Sequence, residues 1–98
     1  MLNRKDFDKR IQRLVKIYSV TGTASYSDFT LTDCVLNFVR DNTGKPENID
    51  INQLYQAYIG ESFINTVILR KYFKKRVFSP ALAILLAIEV YDSNGLKK

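Results

Sequence analysis

Apolar side chains in the first part of the chain recur at the spacing of a helix. Five of them follow one another at intervals of four, three, one and three residues: Phe7, Ile11, Leu14, Val15 and Tyr18. At roughly 100° per residue they share one face, and four basic side chains lie opposite: Lys5, Lys9, Arg13 and Lys16. Residues 4 to 20 are therefore predicted to form an amphipathic helix, capped by Asn3 or Asp6.

A loop and a second helix are predicted next. Residues 21 to 28 concentrate Thr, Ser and Gly, which favour turns. Residues 31 to 42 then place five side chains on one helical face: Leu31, Cys34, Val35, Phe38 and Val39. Free cysteine is among the residue types most often buried, so Cys34 is expected in the core rather than at a reactive site.

A polar connection and a third, short helix follow. Residues 43 to 50 contain few apolar side chains and are predicted to be irregular. Residues 51 to 59 again carry their apolar side chains on one side, which predicts an amphipathic helix. Asp50 can cap that helix, and Gly60 can end it.

The last third of the chain is the most apolar. Residues 63 to 76 have apolar side chains pointing in nearly every direction around a helix and end in a basic run. Ser79-Pro80 is typical of a helix start, and the helix over residues 80 to 92 would be hydrophobic all round, like a central core helix.

These segments predict an all-α fold. The expected architecture is one compact bundle or orthogonal array of about five helices, near residues 4–20, 31–42, 51–59, 63–76 and 80–92. The length of 98 residues fits a single helical domain over residues 1–98.

Composition narrows the classes of chemistry open to this chain. There is one cysteine and no histidine, so an internal disulfide and the usual zinc ligand sets are excluded. The glycines stand singly, and no pair of carboxylates forms a recognisable catalytic dyad. We therefore expect no enzyme activity, catalytic residue, metal, cofactor or small-molecule substrate. The charged N-terminus and the absence of a long apolar run predict a cytoplasmic protein without membrane association.

Charge is unevenly distributed along the chain. Residues 1 to 16 hold six basic and two acidic side chains (net +4), residues 17 to 66 two and six (net −4), and residues 67 to 98 seven and two (net +5). If the first and fourth helices lie side by side, their basic side chains form one patch that attracts phosphates: Lys5, Lys9, Arg13 and Lys16 with Arg70, Lys71, Lys74 and Lys75. The alternative is that these charges only keep the surface soluble.

The segments on either side of Gly60 have the outline of a helix-turn-helix, the DNA-binding motif. A short helix, a turn with glycine and a longer helix follow one another there. Four polar side chains repeat every four residues along the second helix and could face a major groove: Ser62, Thr66, Arg70 and Lys74. An ordinary helix corner would give the same pattern.

Two hypotheses for function follow. The first is a small non-enzymatic binding module, regulatory in character, that contacts nucleic acid through its basic helical faces. The second is a protein-interaction or assembly component, including a homo-oligomer. Ala83 and Ala87, flanked by Val90, form a small-residue stripe that could line a dimer interface as well as a core. Tyr26 and Tyr91 are expected to be exposed and could contact a partner.

Overall fold

The computed structural model describes all 98 residues and has a mixed α/β fold. Four helices and four strands follow in this order: α1 (Arg4–Gln12), β1 (Lys16–Tyr18), β2 (Ser25–Thr32), β3 (Val35–Arg40), β4 (Lys45–Asp50), α2 (Ile51–Gly60), α3 (Thr66–Leu69) and α4 (Phe78–Ala87). The strands form one antiparallel sheet in the order β1-β2-β3-β4. The prediction of an all-α helical bundle is therefore wrong.

The helix predicted over residues 31 to 42 is instead the hairpin of β2 and β3. Asp33 and Cys34 form a two-residue turn between the paired residues Thr32 and Val35, and Asp33 has the positive φ of 56° that such tight turns require. Cys34 is consequently exposed at the tip of the hairpin, and not in the core as expected.

Only one face of the sheet is buried. Alternate residues of the strands point to the core, and the intervening residues remain exposed or half-buried, as expected for an antiparallel sheet with one wet face. The fully or nearly fully buried strand residues are Ile17, Tyr26, Leu36, Phe38 and Ile49. The helices pack on this inner face.

The polar connection predicted over residues 43 to 50 is largely strand β4. It pairs with β3 residue by residue from Val35↔Asp50 to Arg40↔Lys45. Pro46 is tolerated because β4 lies at the edge of the sheet, where a missing N–H breaks no pairing on the open side. Only Ile49 of this strand is buried, so β4 has no apolar periodicity to detect.

Two of the predicted helices are present: α1 is shorter than the predicted helix, and α2 closely matches its prediction. Asn3 caps α1 by accepting from the amide of Asp6, but this helix ends at Gln12 and the chain turns into β1. Asp50 caps α2 by accepting from the amide of Asn52 at 2.8 Å, and α2 ends at Gly60 as predicted.

The helix predicted over residues 63 to 76 is reduced to the four residues of α3. Asn65 caps α3, and Phe63 before it forms a β-bridge with Leu96. The helix predicted over residues 80 to 92 corresponds to α4, which is a core helix but starts earlier, at Phe78, and ends at Ala87. Because α3 is a single turn, the second helix of a helix-turn-helix is not formed.

Candidate functional site: a basic cleft at the start of the last helix

An open cleft of about 830 Å³ lies where α4 begins. Four of its nine lining residues are Arg or Lys, and none is Asp or Glu. We call this the basic cleft, and its lining residues are Arg40, Thr66, Arg70, Phe73, Lys74, Arg76, Phe78, Ser79 and Pro80. The cations come from the sheet and from the segment between α3 and α4, so the fold concentrates them in one place.

Burial of apolar residues fixes the segment that carries most of these cations. Phe73 and Val77 are buried, whereas all three residues between them, Lys74, Lys75 and Arg76, are exposed. The chain from Arg70 to Val77 is turn and bend rather than helix. A bent segment held at Phe73 and Val77 can direct Lys74 and Arg76 into one cleft. In a regular helix, these two side chains would point about 200° apart.

Arg40 reaches the cleft from the inner face of the sheet. It is the last residue of β3 and lies on the same face as Leu36 and Phe38, which are buried. Its Nε donates to Oε2 of Glu47 at 3.0 Å, and this hydrogen bond raises the pKa of Arg40. Its guanidinium carbon also lies 5.4 Å from the centre of the Tyr26 ring, within the range of a cation–π interaction.

The other three cations of the basic cleft have no carboxylate partner. None of the side chains of Arg70, Lys74 and Arg76 lies within 4.0 Å of an Asp or Glu oxygen. The four salt bridges of the chain are made by other basic residues, and Arg40 is one of these. Arg70 instead lies over an aromatic ring, with its guanidinium carbon 5.5 Å from the centre of the Phe78 ring. These three charges are therefore free to bind an external anion.

The first turn of α4 adds polar groups to the same cleft. Val77 at the N-cap position provides no side-chain cap. The amides of Phe78 and Ser79 donate to no group of the chain, and the Ser79 side chain is exposed. Unpaired amides at a helix start carry partial positive charge, which adds to that of the cations.

The basic cleft unites only some of the predicted site residues. Thr66, Arg70 and Lys74 line it. Lys71 instead pairs with Oε2 of Glu61 at 3.1 Å, and Lys75 donates to the side chain of Asn48.

Ser62 also lies outside the cleft, with its carbonyl oxygen accepting from the amide of Lys97 at 2.8 Å. Arg40 and Arg76 belong to the cleft but were missed as site residues. Arg76 belongs to the basic run at the end of the segment over residues 63 to 76, whereas Arg40 lies within residues 31 to 42, for which a helix was wrongly predicted.

The basic side chains of the first helix do not reach this cleft. Arg13 lines a separate cleft of about 350 Å³ together with Ala87 and Glu89, at the opposite end of α4. The ten residues of α4 separate the two clefts by roughly 15 Å along its axis. Lys5 and Lys9 are exposed elsewhere on α1, and Lys16 lies 3.8 Å from Asp41 on the sheet.

Two carboxylates outside the cleft have lowered pKa values because neighbouring groups stabilise their charge. Hydrogen bonds from Ser27 and Ser25 lower the pKa of Asp41. The hydroxyl of Tyr72 donates to Glu61 at 2.6 Å, and this bond, followed by that from Lys71, lowers the pKa of Glu61. No three Asp, Glu, Cys or His side chains are grouped as metal ligands.

The tyrosines considered as partner contacts are buried. Tyr26 is fully buried and Tyr91 is 1% exposed, so the expectation that they lie on the surface is wrong. Of the small-residue stripe, Ala83 and Val90 belong to the core, and only Ala87 is exposed. Other apolar residues are exposed, among them Val15, Tyr18 and Val20 in and around β1.

Comparisons of the chain with family models, with curated proteins and with solved structures gave no match. None of its helices combines the length and the apolar character that crossing a membrane requires. The basic cleft is therefore interpreted from its own geometry and charge.

Proposed function

We propose that the protein is a nucleic-acid-binding module and that the phosphate backbone lies in the basic cleft. The observation that carries this proposal is the set of three unpaired cations, Arg70, Lys74 and Arg76, in a concave site without a lining carboxylate. Arg40 adds a fourth cation at the wall of the cleft, and Ser79 and Thr66 add hydroxyl groups. Phosphate oxygens accept from all of these donors.

The energy of such binding comes mainly from charge. Each Lys or Arg that neutralises a phosphate releases condensed counterions, so binding is strongest at low salt and weakens steeply as salt increases. The net charge of +5 at pH 7 adds a favourable long-range attraction to polyanions.

The mode of contact differs from that of a recognition helix. Of the two helices at the cleft, α3 has four residues and is about 6 Å long, too short to lie along a major groove and read several base pairs. The other, α4, is a core helix that meets the cleft only with its first turn. The cations instead lie within a concavity. We therefore expect contacts to phosphate and sugar to dominate and sequence preference to be weak.

Fluorescence anisotropy with labelled DNA and RNA oligonucleotides at about 50 mM salt tests the proposal. The double variant Arg70→Ala with Lys74→Ala should weaken binding at least tenfold. The control variant Lys5→Ala with Lys9→Ala removes the same charge from exposed positions outside the cleft and should change affinity less than threefold. Equal losses in both variants, or no binding by the wild-type protein, would refute the proposal.

A second candidate function is self-association or assembly with another protein. The observation that favours it is the exposed apolar group at the edge of the sheet: Val15 is 79%, Tyr18 63% and Val20 59% exposed. An edge strand with exposed apolar neighbours is a common place for strand pairing between chains. Sedimentation across a concentration series distinguishes a dimer from a monomer, and Tyr18→Lys should dissociate the dimer if β1 forms the interface.

A further inference from the structure

The basic cleft contains an aromatic support beneath one of its cations. The Arg70 guanidinium carbon lies 5.5 Å from the centre of the Phe78 ring, and both residues line the cleft. Phe78 is partly buried against the core, whereas Arg70 is exposed. Phe78 therefore supports a planar, charged group at the surface of the cleft, and the exposed side of the guanidinium is available to a ligand.

The size of the cleft indicates how much of a nucleic acid can lie inside it. Its volume of about 830 Å³ lies within the roughly 300 to 1,000 Å³ of clefts that enclose small ligands. A concavity of this size has room for about one or two nucleotides of a strand. Reading the base pairs of a duplex requires a protruding helix or strand ribbon that enters a groove, whereas the cations here lie in a concavity.

We propose that the basic cleft takes single-stranded nucleic acid, with one base stacked on the Arg70 guanidinium and the flanking phosphates held by Lys74 and Arg76. This rests on the proposed nucleic-acid-binding function and specifies its substrate. Bases of a single strand expose their faces and stack on aromatic rings or on arginine guanidinium planes, whereas the faces of paired bases are covered by their neighbours in the duplex.

Charge alone would give the opposite preference. A duplex carries the denser array of phosphates, and a cation gains more from counterion release on duplex DNA than on a single strand. A site that recognises only phosphate should therefore favour the duplex. Preference for a single strand consequently reports contact with the bases.

The experiment compares four ligands of equal length by fluorescence anisotropy at one salt concentration. They are a mixed-sequence 12-mer of DNA, the RNA of the same sequence, the DNA duplex, and a 12-mer whose central positions are abasic but keep every phosphate. We expect at least one of the intact single strands to bind roughly tenfold more tightly than the duplex, and the abasic strand to lose about tenfold. The DNA and RNA arms identify which sugar the cleft prefers.

Two matched variants assign the stacking to Arg70. Arg70→Lys keeps the charge but removes the plane, and it should abolish the difference between the intact and abasic strands. Arg76→Lys makes the same change at a residue assigned to phosphate, and it should leave that difference unchanged. Both positions are exposed, so the fold should be preserved, which circular dichroism checks.

The results separate this inference from the proposed function. Equal affinity for intact and abasic strands, or tighter binding of the duplex, would overturn the single-strand proposal while the charge-dependent function remained. Failure of all four ligands to bind at about 50 mM salt would overturn both.

Discussion

Arg40 and Glu47 are joined diagonally across β3 and β4, with Nε of Arg40 3.0 Å from Oε2 of Glu47. In the register of the sheet, Glu47 lies opposite Phe38 and Arg40 lies opposite Lys45. The side chains are 29% and 14% exposed for Arg40 and Glu47, so the pair is partly shielded from solvent. This contact fixes Arg40 at the wall of the basic cleft and neutralises part of its charge.

Glu47→Gln should therefore change binding and stability in opposite directions. Without the carboxylate, Arg40 contributes its full charge, and we expect nucleic-acid affinity to increase about two- to fivefold at low salt. Loss of the charge-assisted bond should lower the free energy of unfolding by about 1 kcal/mol. Anisotropy and urea denaturation measure the two effects.

Asp8→Asn is the matched control, because Asp8 pairs with Arg4 at 2.8 Å on α1, outside the cleft. It makes the same change in net charge but should leave affinity within twofold. An equal increase in both variants would mean that net charge, rather than Arg40, determines binding.

The hydroxyl of Tyr26 is buried and has no hydrogen-bond partner, although its ring packs edge-on against Phe38. Removing an unsatisfied buried hydroxyl costs little or stabilises the fold, so Tyr26→Phe should change the free energy of unfolding by less than about 0.5 kcal/mol or increase it. Tyr91→Phe is the contrasting variant. The Tyr91 hydroxyl donates to the carbonyl of Glu61 at 2.7 Å, and its loss should cost about 1 to 2 kcal/mol in urea denaturation. The reverse order would contradict these contacts.

The wrong helix over residues 31 to 42 was predicted because two apolar patterns overlap there. Residues 31 to 42 contain apolar side chains at helical spacing and also apolar side chains that alternate as in a strand. The tight turn at Asp33 and Cys34 selects the strand pattern. The alternating residues Leu36 and Phe38 are the ones that the core buries. The β-branched Val35 and Val39 favour a strand, a signal that the helical spacing outweighed in the prediction.

The polar strand β4 was harder to predict. Its pairing with β3 is made by backbone groups, and only Ile49 faces the core, so its sequence carries almost no pattern. By contrast, α2 and α4 were predicted because an Asp50 cap and a continuous apolar run are local signals.

Glycine at position 95 should be essential to the fold. Its φ is +83°, and an added Cβ would lie 2.5 Å from the carbonyl oxygen of Ile64. Gly95→Ala should lower the free energy of unfolding by roughly 3 kcal/mol or more. Gly22 has a similar φ of +75° but nothing within 4 Å of an added Cβ, so Gly22→Ala should cost only about 1 kcal/mol. Thermal or urea denaturation compares the two, and equal losses would contradict the contact with Ile64.

Stability should fall in acid partly through Glu61. Hydrogen bonds, first from Tyr72 and then from Lys71, hold the pKa of Glu61 below its ordinary value of 4.5 in the folded protein. The unfolded state therefore takes up the proton first as pH falls, so this contribution is present above pH 4.5 and is lost as pH decreases through the folded-state pKa.

Glu61→Gln should make the decline in the free energy of unfolding below pH 4.5 less steep, and Tyr72→Phe should do so in part. Urea denaturation from pH 6 to pH 3 provides the measurement. A decline as steep as that of the wild-type protein in both variants would show that the Tyr72 bond does not tune this carboxylate.

The basic cleft was only partly predictable because its cations come from two distant parts of the chain. Arg70 and Lys74 belong to one basic run and were selected from it, but Arg40 joins them through the sheet pairing of β3. In the sequence, the basic side chains of the first helix looked as suitable for binding phosphate as those of the basic run. Their location on α1, with Arg13 at the other end of α4, follows from tertiary packing that no local pattern encodes.

The salt dependence of binding tests the central proposal, that cations of the basic cleft contact phosphates, most directly. The slope of the logarithm of the binding constant against the logarithm of salt concentration changes by roughly 0.7 to 0.9 for each phosphate contact. We predict that Lys74→Ala and Arg76→Ala each make the slope shallower by about that amount, whereas Lys5→Ala and Lys9→Ala leave it unchanged. A slope that is the same in all four variants and the wild-type protein would contradict the proposal.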